Sequence, residues 1–174
     1  MMATKGNKVV MFAGSQGGHY VELMGLKSLF NRYQSVLVTD NLNATKDKPD
    51  LTCFKAIEYS VAMVKSREKR AGTSKRQSRL AASISYLKMF RECWKICAKW
   101  KPAVIVSTGS YIAVPLFLCG KMHGAKTIFI ESNAKVYQKT MTGILVERFS
   151  DKIYVQWPEM LKIYPQAEYY GPLI

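Results

Sequence analysis

The stretch Val9-Val10-Met11-Phe12-Ala13-Gly14-Ser15-Gln16-Gly17-Gly18-His19 constrains the fold more than any other part of the chain. A short unbroken apolar run bounded by turn residues suits a strand buried on both faces, as in a parallel sheet, whereas a buried helix needs ten or more residues. Glycines then break the run, and Val21, Leu23, Met24, Leu26, Leu29 and Phe30 follow at helical spacing, which predicts a helix from Gly18 to Phe30 closed near Asn31. A strand that feeds a glycine turn and then a helix is the opening unit of an α/β fold.

Apolar runs and helical stretches alternate from there onward. Strands are predicted at Lys8–Ala13, Ser35–Thr39, Leu51–Ile57, Ala103–Val106, Thr127–Ile130 and Lys152–Val155. Helices are predicted at Leu80–Trp100, Ile112–Met122 and Thr142–Phe149, and the polar stretch Asn41–Asp50 reads as a surface loop. The pattern predicts a Rossmann-like, doubly wound, mostly parallel sheet in a single domain spanning residues 1–174. Functional groups in such sheets collect outside the carboxyl ends of the strands. This chain places there the Gly14 to His19 turn, Asp40, a second glycine turn at Gly109-Ser110-Tyr111, and Glu131 with Asn133.

Charge narrows the choice of partner. A formal net charge of +14 on 174 residues points to something anionic: nucleic acid, acidic lipid headgroups or a phosphorylated substrate. The cations concentrate in a basic loop at about residues 65–79, where Lys65, Arg67, Lys69, Arg70, Lys75, Arg76 and Arg79 meet the single acid Glu68. A solvated surface run with no partner stays open. Nucleic acid is disfavoured, because the run lacks interleaved aromatics and no DNA or RNA module is visible.

In the helix that follows, Leu80, Ile84, Leu87, Trp94 and Cys97 fall on one side, and Tyr86, Met89, Phe90 and Cys93 widen the apolar surface. Either all of it packs on the sheet, or part of it, through Tyr86 and Phe90, lies with Arg67, Lys69, Arg70, Lys75 and Arg76 against an anionic membrane surface. No apolar run is long enough to span a bilayer, and the first eight residues lack a signal peptide's apolar segment, so a cytosolic or peripheral protein is expected. The four cysteines, Cys53, Cys93, Cys97 and Cys119, lack CxxC spacing; buried free thiols are expected, and no metal site.

The glycine turn has its own chemistry. Backbone N–H groups at a helix start suit a phosphate or diphosphate. The turn is neither a P-loop, since no Gly-Lys-Ser/Thr follows, nor the GxGxxG dinucleotide fingerprint, and Ser15 is not in a nucleophile elbow. Asp40 keeps a dinucleotide reading open. His19 is a proton acceptor toward a bound substrate or a residue that caps and packs the helix. Glu131, a carboxylate ending an apolar strand, is either a cleft-facing group for sugar hydroxyls or base chemistry, or a structural acceptor for neighbouring loops.

Three segments taken together carry a family resemblance: Phe12 to His19, Ser107-Thr108-Gly109-Ser110-Tyr111-Ile112-Ala113-Val114-Pro115, and Ile130-Glu131-Ser132-Asn133-Ala134. They resemble the amino-terminal half of GT-B glycosyltransferases, and above all the membrane-anchoring subunit of the two-component N-acetylglucosaminyltransferase of dolichol-linked glycan synthesis. The bacterial relatives of that subunit act in capsular and exopolysaccharide assembly, and Gln156-Trp157-Pro158-Glu159 is similar to that branch. The resemblance implies a non-autonomous subunit. The chain would bind a lipid-diphosphate-linked sugar acceptor, while a separate donor-binding glycosyltransferase subunit would hold the UDP-sugar, with no cofactor bound tightly here. It further implies His19 and Glu131 as catalytic groups, and Gly14, Ser15, Gln16, Gly17, Gly18, Gly109, Ser110, Tyr111 and Asn133 as the acceptor and diphosphate site.

Eukaryotic members carry an amino-terminal transmembrane helix that this sequence does not show; either the chain is bacterial in type or that segment was removed, and the expectation taken is a bacterial member held peripherally on the cytoplasmic face of a membrane. A scaffold that recruits a catalytic partner without supplying catalytic groups is the competing expectation.

Overall fold

The computed structural model describes residues 8–15, 17–39, 52–59 and 75–174, without the side chains of Tyr59 and residues 75–82. Gln16, Asp40, Arg67, Lys69, Arg70 and the expected loop Asn41–Asp50 lie outside the described residues.

Seven strands form one sheet: β1 (Val9–Ala13), β2 (Gln34–Thr39), β3 (Ala56–Tyr59), β4 (Val104–Ser107), β5 (Lys126–Ile130), β6 (Lys152–Val155) and β7 (Glu168–Tyr169). Their order is β3-β2-β1-β4-β5-β6-β7, and every pairing is parallel. The chain builds outward from β1 to β3 on one side, then crosses back to lay β4 on the other side of β1. The crevice between the turns after β1 and β4 is therefore the topological switch point, where ligands bind in sheets of this kind.

Alternation along the strands divides the core in two, because successive side chains point to opposite faces. From β1, Met11 and Ala13 join Val36, Ile105, Phe129 and Ile153 in one apolar cluster, while Val10 and Phe12 join Leu37, Val106 and Ile130 in the other. The first face is covered by α3 (Lys75–Trp100), α4 (Ala113–Met122) and α5 (Met141–Val146), and the second by α1 (Gly18–Met24), α2 (Lys27–Phe30) and the tail residue Leu173. This double covering is why the strands read as continuous apolar runs.

The boundaries differ from expectation in four places. The helix expected from Gly18 to Phe30 breaks, because Leu26 leaves helical geometry at φ −89°, ψ 11°. Phe30 then packs edge-on to Phe12 at 4.6 Å and against Phe54 at 4.4 Å. The third strand starts at Ala56 instead of Leu51, since residues 52–53 form a 3-10 turn that delivers Phe54 to this aromatic cluster. A two-residue edge strand, β7, was not predicted.

The fourth difference concerns α3, which starts at Lys75, so Lys75, Arg76 and Arg79 belong to its first turns and not to a loop. The expected apolar side Ile84, Leu87, Trp94 and Cys97 is also divided between core and solvent. Met89, Cys93, Ile96 and Cys97 are buried, and Tyr86 and Phe90, expected on a membrane-facing surface, pack half-buried against the same cluster. Ile84, Leu87 and Trp94, expected in the core, are exposed. The buried face packs in one cluster with Leu116, Phe117 and Cys119 of α4. Among the described residues no helix is long and apolar enough to cross a membrane.

None of the four cysteines is in a disulfide, and Cys93, Cys97 and Cys119 are buried. Burial pushes the Cys97 thiol up to about 12, with Cys119 nearby adding to it, and pushes Cys119 to about 11. Among the described residues no group of His, Cys, Asp or Glu could hold a metal ion.

Candidate functional site

The turns after β1 and β4 are locked together by their own polar groups. The Ser107 hydroxyl donates to the Ala13 carbonyl (3.0 Å) and accepts from the Gly109 N–H (3.2 Å). The Thr108 hydroxyl donates to the His19 carbonyl (2.7 Å), and the His19 ring answers, with Nδ1 3.0 Å from the Thr108 carbonyl. A carbonyl can only accept, so this contact puts the proton on Nδ1 and leaves the Nε2 lone pair free in the neutral ring. The His19 side chain keeps 33% of its surface exposed, enough to meet a ligand.

Gly109 makes that placement possible. Its φ is +104°, and a Cβ there would sit 2.8 Å from the His19 ring. Gly17, with φ +95°, serves the first turn; a side chain at Gly17 or Gly18 would meet nothing within 4 Å, so this turn borders open space. No side-chain cap covers the first N–H groups of α1 or α4. Ser110 is 4% exposed and its hydroxyl has no partner among the described residues. Tyr111 is exposed beside it. Of the candidate turn residues, the structure thus brings Gly17, Gly18, His19, Gly109 and Ser110 to one crevice, while Gly14 is committed to the sheet through its N–H bond to the Val38 carbonyl (3.2 Å).

Glu131 differs from its expected cleft-facing position. It is 1% exposed, and both oxygens are occupied: Oε1 accepts from the Ser132 N–H (2.9 Å), and Oε2 from the Tyr164 hydroxyl (2.6 Å) and the Thr140 N–H (3.1 Å). Gly143 leaves room for this network, since a Cβ there would lie 2.2 Å from the Tyr164 oxygen and 2.5 Å from Glu131 Oε2. The Tyr164 phenol is held well above its ordinary value, first by burial and then by its bond to Glu131. The geometry therefore gives Glu131 the structural alternative, anchoring the loop after β5 to α5 and to the 3-10 turn at Pro158–Lys162.

Asn133 stands at the crevice on that anchored loop. Its N–H donates to Glu22 Oε1 (2.9 Å), its carbonyl accepts from the Trp157 indole (2.7 Å), and its side-chain Oδ1 is buried without a partner among the described residues. Gln156 donates to the Glu131 carbonyl (3.0 Å) and accepts from the Leu173 N–H (2.9 Å). Gln156 and Trp157 are thus braces for the loop. Sequence reasoning missed Glu22. The available signal was an acid on the buried side of an otherwise apolar helix, a place where carboxylates are rare unless paired.

A cavity of about 330 Å³ lies between Leu26, Leu29, Ile128 and Tyr154 and the tail residues Tyr170 and Leu173. Its apolar lining sets it apart from the polar crevice.

A parallel sheet in this order, with a histidine and two glycine turns at the switch point, defines the class: an α/β fold of the kind found in GT-B glycosyltransferases. MurG of Acinetobacter baumannii superimposes with a TM-score of 0.65 at 17% identity, over 87% of this chain and 42% of that one. The UDP-GlcNAc 2-epimerase of Methanocaldococcus jannaschii gives 0.62 at 12% identity, over 94% and 45%. The chain belongs to the family described as "Oligosaccharide biosynthesis protein Alg14 like", whose profile matches residues 9–173.

Sequence relatives agree. The UDP-N-acetylglucosamine transferase subunit ALG14 of Yarrowia lipolytica is 31% identical over 182 residues, covering 96% of this chain and 81% of that protein. A UDP-N-acetylglucosamine--N-acetylmuramyl-(pentapeptide) pyrophosphoryl-undecaprenol N-acetylglucosamine transferase, from Chlorobaculum parvum, is 26% identical over 165 residues, covering 92% of this chain and 44% of that one. The chain thus spans less than half the length of the single-chain transferases it matches. The expected family of transferase subunits is confirmed. The expected capsular and exopolysaccharide branch finds no support in these relatives, which are subunits and enzymes of other saccharide pathways by name.

Proposed function

We propose that the chain is the acceptor-side, non-autonomous subunit of a glycosyltransferase that moves a sugar from a UDP-sugar to a lipid-diphosphate-linked acceptor. The observation that carries this reading is His19: its Nδ1–H is tied to the Thr108 carbonyl and its ring is seated against Gly109, with Nε2 left for a substrate. In the reaction the acceptor hydroxyl attacks the anomeric carbon, the bond from that carbon to the diphosphate breaks, UDP leaves, and the hydroxyl proton passes to His19 Nε2. The acceptor diphosphate lies along the N–H groups of Gly17, Gly18, Ser110 and Tyr111, and Asn133 Oδ1 and Ser110 Oγ supply hydrogen bonds to sugar hydroxyls. Glu131 holds the loop that presents Asn133.

The donor half comes from a second polypeptide. This extends the Yarrowia protein's name, a transferase subunit, and the match to less than half of the single-chain enzymes. The membrane contact is peripheral and on the cytoplasmic face. It is formed by the exposed Ile84, Leu87 and Trp94 of α3, with Lys75, Arg76, Lys88, Arg91 and Lys95 on the same helix and Arg67, Lys69 and Arg70 before it. Replacing Arg67, Lys69, Arg70, Lys75 and Arg76 by Glu should abolish flotation with anionic liposomes, and unchanged flotation would remove this part of the proposal.

The decisive experiment is transfer by the reconstituted complex with its donor-binding partner on a lipid-diphosphate-sugar. His19→Gln should lower kcat by roughly 10²- to 10⁴-fold while partner binding is retained. Full activity of that variant would establish the scaffold reading instead.

A further inference from the structure

Glu22 is a carboxylate that the reaction described above does not use, yet it occupies the centre of the site. It is 4% exposed, on the inner side of α1 one turn from His19. Its Oε1 accepts from the Ser132 hydroxyl and the Asn133 N–H, both at 2.9 Å. Its Oε2 is buried with no hydrogen-bond partner among the described residues and lies 4.0 Å from His19 Nδ1. An unpartnered carboxylate oxygen in the interior is costly, and folding tolerates such an atom where a charge or proton is to be met. Among the described residues the His19 ring meets the Thr108 carbonyl, the Gly109 backbone and this carboxylate, and of these three Glu22 is the one with a carboxylate charge to offer.

We propose that Glu22 is the positioning residue for His19: its free Oε2 stabilises the positive imidazolium formed when Nε2 takes the acceptor's proton, while Oε1 ties that same helix turn to the Ser132–Asn133 loop. The inference rests on the reading of His19 as the proton acceptor. The proton stays on the imidazole, Nδ1 keeps its own proton, and Glu22 remains ionised throughout. A carboxylate behind a histidine base acts in this way by orientation and charge, without itself becoming protonated. Through Oε1 the carboxylate also couples the base to the loop carrying Asn133.

The test uses Glu22→Gln in the reconstituted complex. The amide oxygen can still accept from Ser132 and Asn133, so the loop anchor is preserved while the charge is lost. The expected result is a kcat lower by roughly 10- to 100-fold with KM within about twofold, and no further loss when Glu22→Gln is added to His19→Gln, because both act on one step. A wild-type kcat for Glu22→Gln, or an equal loss in the His19→Gln background, would overturn the proposal.

A second measurement stands apart from activity. In the full chain labelled with ¹⁵N-histidine, the ring resonances of His19 should move on Glu22→Gln while the backbone amides of Ser132 and Asn133 stay in place. Unmoved ring resonances would overturn the coupling. If His19→Gln is fully active but the ring resonances move, the proton-acceptor reading has failed and the Glu22–His19 contact stands.

Discussion

Glu131 and Asp151 flank the same part of the sheet from opposite ends, one just past the carboxyl end of β5 and the other just before β6. Asp151 accepts from Lys121 (2.9 Å), Lys126 (3.3 Å), the Thr127 N–H (2.8 Å) and the Thr127 hydroxyl (3.0 Å), tying the end of α4 to the starts of β5 and β6. Glu131 is deeper and has no cation against it, only a phenol and two backbone N–H groups. Around Asp151 the polar groups find partners in the chain. Around Glu131 the buried atoms Glu22 Oε2, Ser110 Oγ and Asn133 Oδ1 do not. The difference teaches where the sheet is finished and where it waits for a ligand: one end is closed by ion pairs, and the other is held rigid by Glu131 so that its neighbours can stay unpartnered.

Removing the Glu131 carboxylate should break this comparison most strongly. Glu131→Ala leaves the Tyr164 hydroxyl and the Ser132 and Thr140 N–H groups buried without an acceptor, and should cost about 3 kcal/mol in denaturant unfolding. A loss under about 1 kcal/mol would mean that the loop after β5 does not depend on this network. Gly109→Ala comes next, at about 2 kcal/mol, from a Cβ forced into positive φ and against the His19 ring. Its diagnostic feature is that transfer should fall further than stability explains, by at least about tenfold at a temperature where the variant is folded. Wild-type transfer would separate the ring position from the chemistry.

How much of this was legible beforehand depends on whether the signal was local. The strand-turn-helix at Val9 to His19, the second glycine turn and the strand ending in Glu131 all announced themselves through apolar runs and glycine, and the sheet followed from them. Tertiary packing decided the rest. The faces of α3 could not be assigned from spacing, because Tyr86 and Phe90 are as apolar as Ile84 and Leu87, and which of them is covered depends on the cluster that Met89, Cys93, Ile96 and Cys97 join. Glu131 was found for its position but read as facing the crevice, since its partner Tyr164 lies 33 residues away. Glu22 was overlooked for the same reason: its partners, Ser132 and Asn133, come from a loop more than a hundred residues later.

The smallest expected effect is at the closed end. Burial alone would raise the Asp151 carboxyl, but the hydrogen bonds from Lys121, the Thr127 backbone and side chain, and Lys126 outweigh it and hold it well below the usual carboxylate range. A native value below the unfolded one means that the ionised form is favoured by folding. Its contribution is therefore complete above the unfolded value of about 3.9 and is lost as the pH falls from there through the lower native value. Asp151→Asn should cost about 1 kcal/mol at neutral pH, a modest figure because the lysine ammonium groups remain solvated and the pairing is screened. The gap between the variant and the wild type should close below about pH 4. Unfolding curves across that range should show the two converging in acid, and Glu131→Ala, whose cost comes from stranded donors more than from charge, should keep most of its deficit where Asp151→Asn has lost its own.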